Sequence, residues 1–485
     1  MQNPDTIDRR AFVRLGAATG TLALAGCFGT EDENGTDADP DDDSGDEAGD
    51  GTGDDVTAAP ELIEVEDPPE AVYVPTHREA MRMLEPIHEG DFALAPMLSY
   101  PHPFWVIAGG GDDDEVERVD PEDGRGVHMM FTLWDAETGI VLPVDEGAQL
   151  RVLRDGEPVG SPRSPWAMIS QEMGFHFGDN VPLPEDGTYT VEVTVPSIST
   201  RKTGDLEGRL EQSETMTFEF VYDDEFRHEV VEGVEYLDEE LWGQRGALEP
   251  MEHGHDGHDD HGGDDDHGDH DGHDDHDGHD DHDDHDDHDD HDDHDDHDDH
   301  DGHDDHDDHD DHDDHDDHDD HDDHDGHDDH GGHHVPYSAL PRIEAYPGTR
   351  LVDPNADEVA VETSDLPRSG DAAVFATLLE SGSRLADGDE GYLLVSPRTP
   401  YNRVPLADMS IVATVERDGE VVAEPALEQT LDDEYDLHYG ASVEGVQPGD
   451  SVTIAFESPA QVARHMGYET AFLEMPPVEL VVEEP

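Results

Sequence analysis

The sequence predicts an all-β protein, built as antiparallel β-sandwiches that occur twice along the chain. Three observations carry this. Short β-favouring runs recur between turn signals, as in "VHMMFTLWD", "GTYTVEVTV" and "TMTFEFVY", and long helical patterns are scarce. Asp-Gly hairpin signals separate several of them, in "RDGE" and "EDGT". Blocks of the first region then return in the second in the same order. "LRVLRDGEPV" (150–159) matches "VATVERDGEVV" (412–422), "EMGFHFGDNVPLPEDGTYTVEVTVPS" matches "EYDLHYGASVEGVQPGDSVTIAFESP", and "GRLEQSETMTFEF" matches "ARHMGYETAFLEM". This order indicates an internal duplication.

The chain opens with "IDRRAFVRLGAATGTLALAGC". Arg9 and Arg10, with Phe12, form a twin-arginine export pattern. The apolar run behind them is too short to span a bilayer. It ends in "LAGC", a lipobox-like end that makes Cys27 the lipidation site, so residues 1–27 read as a lipoprotein signal. The expected location is extracytoplasmic, anchored to the cell membrane by lipid. Cys27 is the only cysteine, which excludes a disulfide, a Cys-ligated zinc, a thiolate nucleophile and a blue-copper centre.

Residues 28–62 are acidic and Gly-rich without a core-forming pattern, and read as a disordered tether. Residues 63–245 form the first predicted domain. Residues 246–335 form a linker whose centre, His253 to His334, consists only of 43 Asp, 28 His and 11 Gly. Its His-Asp-Asp period fits neither a helix face nor a strand face, and with nothing apolar to bury it is expected to be disordered. Imidazole at every third place reads as a metal buffer of many weak sites, following the general affinity order among metals. The bland alternative is a hydrophilic spacer, which needs Asp and Gly but no His. Residues 336–485 form the second predicted domain, with "MSIVATVERDGEVV", "DSVTIAFES" and "PVELVVE" as strands.

The formal charge is −108, and −65 remains on the other 403 residues when the tract's Asp are set aside. Such a surface repels nucleic acid and anionic headgroups and attracts cations. It fits a halophile-type surface that stays soluble in strongly screening salt.

Eight His lie outside the tract. His77, His88, His102 and His228 have no partner at ligand-like spacing and read as structural. On an alternating strand "GVHMMFTLWD" would place His128 and Met130 on one face, imidazole beside thioether. His176 follows Met168 by eight residues, and His438 and His465 stand in the repeated blocks of the second copy.

"MGFHFGDNVPLPEDGTYTVEVTV", "DLHYGASVEGVQPGDSVTIAF" and "RHMGYET" resemble the signatures of the periplasmic iron-transport metal-binding proteins, the family of the treponemal metal-binding surface lipoprotein. The resemblance implies immunoglobulin-like β-sandwich domains that dimerise, bind copper, zinc or iron, and work beside an iron permease. It implies ligands on a His-x-Glu pair, a Met, the His of the "HYG" block and the His of the "RH" block, the last from a neighbouring subunit. In the first copy His128 keeps the pair's His, Met130 replaces its Glu, Met168 fits the Met with Met173 as rival, and His176 is kept. Leu210 stands where the "RH" His is expected. In the second copy Tyr392 and Leu394 replace the pair, while His438 and His465 remain.

The two sets are complementary. One composite metal site is therefore expected from His128, Met130, Met168, His176 and His465, with a decayed mirror site that leaves His438 alone. Imidazoles with thioethers favour copper, Cu(I) especially, with zinc or Fe(II) also possible. No "GxSxG", phosphate loop or "HExxH" is present, and an enzyme is not expected. The function expected is capture of a transition metal for a membrane metal transporter. The alternative is a structural or adhesive surface lipoprotein whose tract is only a spacer.

Overall fold

The computed structural model describes residues 60, 62–108, 115–122, 125–251, 335–356 and 359–483. Arg9, Arg10, Cys27, nearly all of the acidic tether and the His/Asp tract lie outside them. The described residues belong to one compact unit.

The described chain is nearly all β, with a single α-helix, Asp224–Glu232. That helix starts on the Asp223 carboxylate, which accepts from the Phe226 N–H, and buries Phe226 and Val230. In the first half, a sheet contains in order Met81–Met83, Phe92–Ser99, Gly126–Asp135, Gly174–Pro182, Trp166–Ser170, Ala463–Arg464, Phe104–Ala108 and Glu115–Val119. A smaller sheet of Glu214–Tyr222, Gly187–Val195, Gln149–Arg154 and Glu157–Pro158 packs on it. Val127, Phe131, Phe175 and Phe177 meet Val191, Val193, Phe218 and Phe220 between the two. The second half repeats this, with Val374, Leu393, Val395 and Tyr439 facing Ile411, Val415, Val452 and Ile454.

Strands of the smaller sheet alternate in burial, as in Gly187–Val195, because one face meets water. Asp155–Gly156 and Asp418–Gly419 both take positive φ, which makes tight primed hairpin turns. The "EDGT" signal differs from its expectation. It joins Gly174–Pro182 to Gly187–Val195, which lie in different sheets, so the turn crosses the sandwich instead of closing a hairpin.

The halves exchange strands. Ala463–Arg464, from the second half, runs parallel to Trp166–Ser170, with Met168 opposite Ala463 and Ile169 opposite Arg464. Its other edge meets Phe104–Ala108 at Trp105. Reciprocally, Arg201–Thr203 runs parallel to Ala426–Asp432, with Arg201 opposite Thr430. Ala463–Arg464 bridges two strands inside the first sheet and Arg201–Thr203 extends an edge of the second, so each half supplies backbone hydrogen bonds that the other would otherwise lack.

Candidate metal centre

Strand Gly126–Asp135 sends Val127, Met129, Phe131 and Leu133 into the sandwich core. Period-two alternation therefore turns His128 and Met130 to the outer face of the sheet. Asn180 and Ser99 flank His128 across the strands, and Gly178 and Met97 flank Met130. His176 and Met168 face each other on the next pair. This outer face is itself covered: His128 and His176 are fully buried, and His102 and His465 nearly so. The cover comes from the segment carrying Glu79, the Pro-flanked turn carrying His102, and the residue after the exchanged strand, His465.

Four imidazoles gather there. Ring nitrogens of His102, His128 and His465 all lie within 4.8 Å of one another. His176 joins through His465, Nε2 to Nε2 at 3.1 Å. Hydrogen bonds fix the tautomers. The Asn180 amide donates to the His102 carbonyl (2.9 Å), so its oxygen is left to accept from His128 Nδ1 at 3.0 Å. His176 Nδ1 donates to the Gly174 carbonyl at 3.2 Å. His465 Nδ1 faces the Glu79 carboxylate at 3.4 Å. Each of these rings thus spends its proton on Nδ1 and presents a bare Nε2. The Nε2 of His128 is buried without a hydrogen-bond partner, and the lone pairs of His176 and His465 point at each other. A cation between such nitrogens relieves both conditions.

His102 is different. Its Nδ1 donates to the Pro103 carbonyl at 3.1 Å, and its Nε2 lies 2.9 Å from a Glu79 oxygen, so both nitrogens face acceptors. Burial depresses its pKa, but the Glu79 charge and hydrogen bond outweigh that and raise it. Burial would raise Glu79, yet His102 and His465 hold it well below the usual carboxylate range. Burial pushes His128 and His176 well down, helped by the neighbouring imidazoles, and lowers His465 as well. The centre thus combines imidazoles whose burial favours the neutral form with a His102–Glu79 pair that favours the charged one.

Gly178 makes room for the soft donor. A Cβ there would lie 2.9 Å from Met168 Sδ and 3.1 Å from His128 Nε2. Gly178→Ala is therefore expected to cost about 1–3 kcal/mol of stability through overpacking. It should weaken metal binding roughly 10–100-fold by turning the ligands, as read by metal titration and thermal melting.

The second half shows what the same framework becomes without a centre. Strand registers make Tyr392 the counterpart of His128, Leu394 of Met130, Thr430 of Met168 and His438 of His176. His438 anchors Nδ1 on the Asp436 carbonyl at 3.2 Å, as His176 does two residues back along its own strand. Its Nε2, however, accepts from the Tyr392 hydroxyl at 3.3 Å. Arg201 lies over the Tyr392 ring at 5.6 Å and also donates to its hydroxyl. Burial takes the His438 pKa to about 4. The lone pair that a metal would use is already satisfied, and a guanidinium stands beside it.

The structure brings together His128, Met168, His176 and His465, with Met130 bordering the same space over Gly178. Met173 packs with Met97 and Met130 in a methionine cluster, and His438 lies in the other half's core. One correction concerns Leu210. The exchanged strands make Thr203, not Leu210, the counterpart of His465, because Arg201 opposite Thr430 corresponds to Ala463 opposite Met168. Leu210 is a fully buried core residue with φ 59°. His102, set aside for want of a spaced partner, is the second correction, since its partners come from Glu79 and from strands remote in sequence. His77 is buried beside Thr76, whereas His88 and His228 are exposed.

A family model described as a domain of unknown function (DUF7350) matches residues 344–481, within the second half. No curated protein matches the chain. Two solved structures of FetP from uropathogenic Escherichia coli strain F11 are similar to it. A copper-bound, singly substituted variant is 17% identical over 29% of this chain and 97% of its own, with a TM-score of 0.21. The as-isolated protein, expressed in the periplasm of E. coli BL21(DE3), is 18% identical over 30% and 95%, also at 0.21.

Proposed function

We propose that the chain is a lipid-anchored, extracytoplasmic metal-binding protein that captures one transition-metal ion and passes it to a membrane transporter. The observation that carries this is the convergence of buried imidazoles from both halves, with ring nitrogens within 4.8 Å and bare Nε2 atoms directed inward. Neutral imidazoles with the Met168 thioether are soft-to-borderline donors, which suit copper first and zinc or Fe(II) next. The folded centre selects, and the His/Asp tract concentrates metal near it as a buffer. The chain acts by binding and release, not by catalysis.

The test replaces residues 253–334 by a Gly/Ser linker and titrates the protein with Cu(I), Zn(II) and Fe(II) in high salt. One tight equivalent is expected, with the tightest metal being the cargo. No tight equivalent for any of them would sink the reading and leave the sandwiches as a scaffold.

A further inference from the structure

The outer face of the first sheet also carries a methionine group that adjoins the imidazole centre through Met130. Met97, Met130 and Met173 are buried against one another, with Met81 packed on them, and they are the apolar members of this cluster. The neighbouring cluster on the same face mixes types, holding Phe104, Val106, Met168 and Ala463. Met129, Met216 and Met409 also fill the main core, but there they are mixed among Leu, Val, Ile and Phe. Four thioethers packed together bring soft donors as well as adaptable packing to one place.

Their placement sets them beside the centre. Met83, Met97 and Met130 are successive cross-strand neighbours in one row, which ends at Gly178. Over Gly178 lie Met168 Sδ and His128 Nε2, the edge of the imidazole centre. On the other side, Met81 and Met173 line a cavity of about 50 Å³ together with Glu79, His102, His465 and Met466. The thioethers thus border the cavity beside His102 and His465 and reach the edge of the centre at Gly178.

We propose that the Met81, Met97, Met130 and Met173 cluster is a second cation site beside the imidazole centre, taking a soft monovalent ion of the Cu(I) type. Only its handover of that ion rests on reading the imidazole centre as a metal site. Thioethers are neutral and weakly basic, so they offer little to Zn(II) or Fe(II), which need harder or anionic donors. Flexible Met side chains can close around an ion without backbone movement. The arrangement therefore makes Cu(I) the ion that reaches the centre by this route.

The tract contains no methionine, so the full-length protein can be used with its methionine methyls labelled with carbon-13. The probe is Ag(I), a redox-stable stand-in for Cu(I), added in chloride-free high salt and followed by methyl NMR. The methyls of Met81, Met97, Met130 and Met173 are expected to shift in a saturable step distinct from the Met168 response. The double variant Met97→Leu with Met173→Leu, close in volume, should weaken that step at least tenfold and leave the Met168 response in place. Zn(II) should produce no such separate step, and any shift of these methyls should follow the response of the imidazole centre.

Shifts confined to Met168 would overturn the thioether site while keeping the imidazole centre. Shifts of the four methyls without any response at Met168 or the imidazoles would support the thioether site and sink the centre. Silence at every methyl would overturn the thioether site.

Discussion

His465→Ala is expected to remove tight metal binding from the folded unit while leaving His128, His176 and Met168 in place on their strands. The residue comes from the second half, 289 positions from His176, and meets the centre only because Ala463–Arg464 completes the first sheet. Its ring is the common neighbour of the other imidazoles, with a nitrogen within 4.8 Å of His102 and His128 and its Nε2 3.1 Å from His176. Losing it removes a ligand and separates His176 from the rest, so the affinity should fall by more than the roughly 10–100-fold typical of an outer-shell change. The measurement is a titration of the linker-replaced protein with its tightest metal, beside the same titration of His438→Ala. His438 sits at the corresponding place in the other half with its lone pair on Tyr392, and its substitution should leave the affinity unchanged. Equal losses in both variants would mean that the effect is one of folding. Unchanged binding in His465→Ala would show that the halves do not share the centre.

That centre was partly legible before any coordinates. Alternation in "VHMMFTLWD" placed His128 and Met130 on one face, and the register bears it out: Met130 sits opposite Gly178 and His128 opposite Asn180. Strands with one wet face were visible for the same reason, as in Gly187–Val195. Strands such as Phe92–Ser99 and Ala372–Leu379, buried nearly throughout, read as short apolar runs with no period to betray them. The exchanged strands were invisible because two or three residues carry no pattern at all. This is why alignment of motifs set Leu210 against His465 when the backbone sets Thr203 there.

Glu79 was hidden by composition, being one of 131 acidic residues in a chain whose surface is acidic everywhere. Without it His102 has no partner, so a histidine between two prolines looked structural. The missing signal was not in either residue alone. It lay in their convergence across a fold that brings residue 79 beside residues 102 and 465.

Acidification is expected to empty the tract before the folded centre. The tract's imidazoles stand among carboxylates, which hold their pKa at or above the ordinary value of about 6.5. Below that value every ligand must lose a proton to bind, so a two-imidazole site loses about 100-fold in affinity for each pH unit. In the centre the signs are reversed for most ligands. Burial lowers His128 and His176 well below the ordinary value and lowers His465 too, so in the folded protein these rings give up fewer protons to a metal than the tract's rings do. His102 is the exception, raised by Glu79, and a cation arriving beside it should expel its proton.

The centre's affinity should therefore fall only about tenfold per pH unit below the raised pKa of His102. That slope should hold until the lowered imidazoles begin to protonate. Proton release on binding, measured at pH 6 with the linker-replaced protein, should be one per metal and should vanish in His102→Gln. In the full-length protein the release per metal should be larger, because the tract's ligands are then protonated before binding. A centre that released two or more protons at pH 6 would contradict the tautomers assigned from Asn180, Gly174 and Glu79. Those three acceptors take the Nδ1 protons and leave bare nitrogens facing inward, so selection by the centre should persist at a pH where the tract has let go.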